Sequence, residues 1–306
     1  MIPRAKRALS PILGVLLVLQ AGLVVSGGAV RLTGSGLGCP TWPRCTTRSY
    51  VPVPHQAQGQ LHAWIEFGNR LISIALVLTA LLALILVLLL KRKDIRPLAL
   101  GQVLGISAQI PLGGITVLTH LNPAAVASHF LLSIILIAGA TSLFSRRKEN
   151  IEENSTPPTD EPHPLLQTLG LWVVSITALV IIFGTVVTGS GPNAGDASAP
   201  RFHIHIHTIT RIHAAFSIVL LALTVALFLM SPSKSILRRR IAIFLALLVG
   251  QGAIGFIQFN QGFPELLVGT HLFGVTLVWI SVWRIHLAVS ERSMRKVLTT
   301  REAINL

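Results

Sequence analysis

Charge is what this 306-residue chain has least of: Asp, Glu, Lys and Arg together make up 12% of it, about half the share of a soluble domain. A water-soluble protein built round a single core is thereby excluded. Acidic residues are the scarcer kind, 11 against 25 Lys and Arg, for a net charge of +14. Cysteine is almost missing, and two residues are too few for a disulfide scaffold or a four-thiolate metal site. Hydrophobic residues fill the gap at 52% of the chain, with a mean hydropathy of +0.70. They gather in runs of about 20 residues, long enough to cross a bilayer as helices.

The pattern predicts an all-α polytopic membrane protein with eight transmembrane helices, at about 11–30, 61–90, 98–118, 124–144, 166–188, 207–230, 241–260 and 265–285. The first run follows Arg4, Lys6 and Arg7 but is too long for a signal-peptide core and lacks a clear cleavage site, so it is read as a retained span. With both termini cytoplasmic, 19 of the 25 Lys and Arg fall inside: the N-terminal trio, Lys91–Arg96, Arg146–Lys148, Lys234–Arg240 and the tail from Arg284. Six (Arg31, Arg44, Arg48, Arg70, Arg201, Arg211) fall at or near the outer side. The positive charge is therefore a topology signal facing membrane lipid, and nucleic acid is excluded as a partner.

Residues 146–164 are rich in charge, Ser, Thr and Pro and read as a disordered linker between two sets of four helices. The sets are related. Gln109, Gly113, Ile115, Val126 and His129 recur at a constant offset of 142 as Gln251, Gly255, Ile257, Val268 and His271, and Thr-Gly-Ser-Gly at 33–36 recurs at 188–191. The expectation is two tandem pseudo-symmetric four-helix bundles: 1–145, a linker over 146–165, and 166–306.

Ionisable residues inside apolar spans are functional candidates. His129 and His271 lie about one and a half turns into the fourth and eighth helices, and His213 at similar depth in the sixth. Paired imidazoles inside a helix bundle suit haem iron; zinc would need further Cys or carboxylate ligands that these depths lack. Aligning Ser73-Ile74 with Ser217-Ile218 sets Asn69 opposite His213, so the first half lacks one histidine. His62, Glu66 and Asn69 share one face of the second helix. Glu66 has two readings, a catalytic carboxylate and a structural partner of Arg70. Cys39 and Cys45, in the outer loop, are expected to form a disulfide, read either as a loop staple or as a redox pair. The alternating His203, His205 and His207 read as an interfacial entry to the sixth helix. Arg31, Arg70 and Arg211 are candidate partners for the carboxylates of a ligand.

Four segments, GAVRLTGSGLGCPTWPRC (28–45), IEFGNR (65–70), GGITVLTHLNP with SHF (113–123, 128–130) and GTHLFG (269–274), resemble haem A synthase of the CtaA type, over nearly the whole chain. The resemblance implies an enzyme that oxidises the C8 methyl of haem O to the formyl group of haem A, needed by haem-copper terminal oxidases. It implies a haem b cofactor held by His213 and His271 in the C-terminal half. In the N-terminal half it implies a substrate haem held by His129, with Glu66 catalytic and Cys39 paired with Cys45. It further implies a bacterial plasma-membrane location, handover from haem O synthase and to oxidase assembly, and self-association. Many members carry histidine where this chain has Asn69; either His62 replaces it as iron ligand, or His129 holds the substrate alone and leaves a coordination position open. Rival functions are a di-haem electron-transfer cytochrome, which would close both sites with two histidines, and a haem or porphyrin transporter.

Overall fold

The computed structural model describes residues 2–148, 164–233 and 235–304, with side chains described for 3–148, 164–233 and 235–290. Most of the expected linker, 149–163, lies outside the described residues, as does Lys234. Eight helices follow in order: α1 (Ile2–Leu32), α2 (Gln60–Leu89), α3 (Arg96–Leu118), α4 (Pro123–Ser145), α5 (Pro164–Ser190), α6 (Ile206–Met230), α7 (Ile236–Asn260) and α8 (Glu265–Ile304). All eight contain a stretch long and apolar enough to cross a membrane. This is an integral membrane protein. The outward faces agree with that: Leu266 is 81% exposed, Phe256 72% and Leu61 70%, a display that water would penalise and lipid does not.

Helix starts follow from local chemistry. Asn122 accepts the Ala124 N–H at 3.0 Å and Pro123 fills the first turn of α4, while Ser235 accepts the Arg238 N–H at 3.0 Å at the head of α7. Two helices overrun the expected spans, α1 by starting at Ile2 and α8 by reaching Ile304. Hydropathy marks where hydrocarbon begins and ends, whereas a helix continues through Arg4, Lys6 and Arg7 into the polar zone.

Within the first four helices α1 and α3 each pack on α2 and on α4; within the last four, α5 and α7 each pack on α6 and on α8. The sets meet through α4 on α8, α1 on α8 and α4 on α5. Apolar attraction between helices is weak in lipid, so polar bonds matter at such contacts. Trp279 donates its indole N–H to the Ile134 carbonyl at 2.7 Å, and Trp283 donates to Ser142 Oγ at 2.8 Å, both from α8 to α4. A buried relay, Gln20 Nε2 to Gln102 Oε1 at 2.9 Å and Gln102 Nε2 to the Leu136 carbonyl at 2.9 Å, ties α1 through α3 to α4.

Candidate functional site

The α1–α2 connection folds back over the start of α2 and is fastened there by two charged side chains. Glu66, buried on α2, accepts the Cys39 N–H through Oε2 at 2.6 Å and Arg70 Nη2 through Oε1 at 2.7 Å. Arg70 also donates to the carbonyls of Cys39, Thr41, Pro43 and Arg44 at 3.1–3.3 Å. Its guanidinium is thus committed to the loop and to Glu66. Gly38 lets the loop come this close: a Cβ there would collide with the backbone of His62. Gln56 Nε2 donates to the Gly38 carbonyl from the other side.

Cys39 and Cys45 form a disulfide, six positions apart in sequence, with both residues fully buried. A ring this short removes less chain entropy than the 15-residue loop for which about 3 kcal/mol is expected, and Arg70 and Glu66 already hold the same segment. Replacing Cys39 and Cys45 together by Ser should therefore leave the protein folded, lowering its stability by less than about 3 kcal/mol. In the unmodified protein neither sulfur should react with an alkylating agent until a reductant is added, as weighing the loop peptide would test.

Each of the three intramembrane histidines lies against a glycine of a neighbouring helix. A Cβ at Gly113 would stand 3.3 Å from Cε1 of His129, one at Gly184 3.3 Å from Cε1 of His213, and one at Gly255 3.5 Å from Cε1 of His271. The repeat of Gly113–His129 as Gly255–His271 is thus a contact as well as a register. His213 on α6 and His271 on α8 stand on helices that both pack against α5 and α7. His213 directs Nδ1 at the Val180 carbonyl, 3.0 Å away on α5. Its repeat counterpart Asn69 makes the equivalent link to α1, accepting from Ser26 Oγ at 2.7 Å. His62 pairs Nδ1 with Ser35 Oγ at 2.9 Å, within the repeated Thr-Gly-Ser-Gly.

The buried side-chain polar atoms without a hydrogen-bond partner among the described residues are Gln109 Oε1, His129 Nδ1, Thr210 Oγ1, Gln251 Oε1, Gln258 Oε1 and His271 Nδ1. Such atoms are costly and rare, yet all sit on the helices that carry or face the three histidines. No group of three or more His, Cys, Asp or Glu is placed to hold a metal ion among the described residues.

At the end of the bundle bearing these loops, Arg31 donates to the Thr188 carbonyl at 2.5 Å, joining α1 to α5. Arg211 is exposed on α6. The His205 and His207 rings are 5.4 Å apart, and His207 meets Phe259 of α7 edge-on at 5.3 Å. Among the described residues Asp196 has its carboxyl held below the usual range by hydrogen bonds from Ser198. Sequence reasoning overlooked Gly184 and Ser26, which lie outside the repeated motifs, and gave Gln109, Gln251, Gly113 and Gly255 no role although the constant offset had already singled them out.

A match to the cytochrome oxidase assembly protein family, COX15-CtaA, runs over residues 11–203, well over half of the chain. The chain belongs to this family. It is similar to proteins named haem A synthase: one from Shewanella oneidensis is 29% identical over 202 residues, covering 61% of this chain and 57% of that protein. Another, from Geobacillus kaustophilus, is 30% identical over 116 residues, 37% of this chain and 35% of that protein. The chain thus spans less than two thirds of the relatives it matches. The family match takes in the disulfide loop, Glu66, Asn69 and His129, and ends before α6. His213 and His271 are tied to the family's region by the internal repeat, His271 through its register with His129 and His213 through its register with Asn69.

Proposed function

We propose that this protein oxidises the C8 methyl group of haem O to the formyl group of haem A, in a bacterial plasma membrane with both termini cytoplasmic. One observation carries the reading. Two helix sets repeat a histidine–glycine–glutamine arrangement, but among the described residues the first alone bears a buried carboxylate, Glu66, on the helix whose counterpart carries His213. A pure electron carrier has no need of that asymmetry. The first half takes the substrate and the second holds a haem b cofactor.

The residues fit a haem. A protein that must coordinate a bare metal ion alone supplies three or four ligands, whereas a macrocycle supplies four nitrogens of its own and leaves one or two positions to histidine. His213 and His271 would hold the haem b iron, which when bound supplies one-electron redox chemistry. Glycines 113, 184 and 255 leave the imidazole edges uncrowded, and the unpartnered buried polar atoms among the described residues include Nδ1 of two of these histidines. Substrate haem O is held by His129; either His62, on the loop side, supplies a second ligand, or that position stays open for the chemistry. Arg211, exposed on α6, is the first candidate propionate partner; Arg31 would have to exchange the Thr188 carbonyl for a propionate, and Arg70 is spent on the loop.

Glu66 accepts a proton from water at the reacting carbon or offsets positive charge developing there. The Cys39 N–H and Arg70 hold its carboxylate in one orientation. Haem O arrives from its synthase and haem A leaves for oxidase assembly; copies of the chain associate in the membrane.

Extracting and identifying the haems of the purified protein tests the reading. Haem b together with haems O and A is the expected result. Haem b alone would point to an electron-transfer cytochrome and overturn it.

A further inference from the structure

We propose that Gln109 and Gln251 are positioning residues that accept the Nδ1–H of His129 and His271, fixing the tautomer that turns Nε2 toward iron. The inference rests on the reading of these histidines as haem ligands.

Four of the buried polar atoms stranded among the described residues fall into two pairs. His129 Nδ1 and Gln109 Oε1 are both buried without a partner, and so are His271 Nδ1 and Gln251 Oε1. Each pair is complementary: a neutral imidazole carries one N–H that needs an acceptor, and an amide oxygen is an acceptor that needs a donor. The same mismatch appears twice, at an offset of 142 residues, in two helix pairs that each pack together, α3 with α4 and α7 with α8.

The placement is suitable. Gln109 and Gly113 lie one turn apart on the same face of α3, and Gln251 and Gly255 repeat this on α7. It is the Cε1–Nδ1 edge of each imidazole that faces the glycine: a Cβ at Gly113 would be 3.9 Å from His129 Nδ1, and one at Gly255 4.0 Å from His271 Nδ1. The glutamine one turn away therefore shares the face toward which Nδ1 is directed. Chemistry also fixes the Gln109 amide. Its nitrogen donates to the His129 carbonyl at 3.0 Å and to Ser133 Oγ at 2.7 Å. Reversing the amide would set oxygen against the carbonyl oxygen, so Oε1 is kept for another donor. On α8, Gly274 leaves the room that the Gln251 amide occupies, since a Cβ there would overlap it.

The two atoms do not yet meet in the structure. A turn of the imidazole about χ2, a torsion with broad minima, is the motion that the proposed bond requires. His213 illustrates the completed state, its Nδ1 already directed at the Val180 carbonyl. With such a partner at Nδ1, the lone pair left for iron is on Nε2, and the ligand is both oriented and made more electron-donating.

The test uses the purified holoprotein with Gln251→Leu, which removes the acceptor, and Gln251→Glu, which keeps an acceptor and adds charge. Haem b should be lost to an apo-globin acceptor roughly 10- to 100-fold faster from Gln251→Leu. Its midpoint potential should rise in Gln251→Leu and fall in Gln251→Glu. Gln109→Leu should weaken retention of haem O and leave the haem b potential where it was. Wild-type potential and release rate in both Gln251 variants, at full haem content, would overturn the proposal while the ligand reading stood. A His271→Ala variant that keeps the low-spin spectrum would overturn the ligand reading itself, and the proposal with it.

Discussion

Glu66→Gln should bring haem A formation down by roughly 10²- to 10⁴-fold, the range over which a positioned acid or base acts, while haem b stays in place. The substitution is isosteric but not neutral toward its surroundings. Both carboxylate oxygens now face donors, the Cys39 N–H at 2.6 Å and Arg70 Nη2 at 2.7 Å. An amide can turn its oxygen to one of them only, and sets N–H against N–H at the other. The loss of charge also leaves the Arg70 guanidinium with carbonyl partners alone. Two effects are therefore superimposed, one on chemistry and one on the loop, and they are separated by what survives. With an intact disulfide, silent thiols and full haem b content, the loop is in place, and the missing product belongs to the carboxylate. A hydroxylated form of haem O accumulating in the same membranes would locate the block after the first oxidation. Near-normal haem A in cells with no other copy of the protein would leave Glu66 as the fastening of the loop and nothing more.

His213→Ala and His271→Ala should each remove the low-spin b-type spectrum altogether. A six-coordinate haem held by two imidazoles loses its low-spin state with either one, and Gly184 and Gly255, lying against those imidazoles, offer no replacement ligand. Both variants should still insert, because the substituted side chains leave the Trp279 and Trp283 bonds to α4 and the Gln20–Gln102–Leu136 relay untouched. Measured in membranes at equal protein content, an unshifted spectrum in both variants would remove the cofactor from the second half and reverse the assignment of the two halves.

Much of this was readable from the chain. Eight spans follow from hydropathy because lipid imposes one simple demand on a helix, and His129 and His271 stood out because an imidazole is expensive in that setting. The repeat held more than register: Gln109, Gly113 and His129 are contacts as well as positions. What periodicity could not carry is the loop. That Glu66 would meet the Cys39 N–H depends on how the α1–α2 connection folds back, and on Gly38 allowing backbone to touch backbone. Spacing suggested Arg70 as a partner for Glu66 but gave no hint of its four carbonyls. Nor does any pattern announce Ser26 as the partner of Asn69, since the two are 43 residues apart and on different helices.

The packing of α4 on α8 would carry a kinetic meaning under the proposed function. His129 stands six residues into α4 and His271 six into α8, each about 9 Å along its axis, and the two helices touch. If both histidines bind haem, the gap that an electron must cross between substrate and cofactor is set by one helix–helix interface, with no loop or linker in series. Trp279 and Trp283 fasten that same interface to α4 through their indole N–H groups, at Ile134 and Ser142.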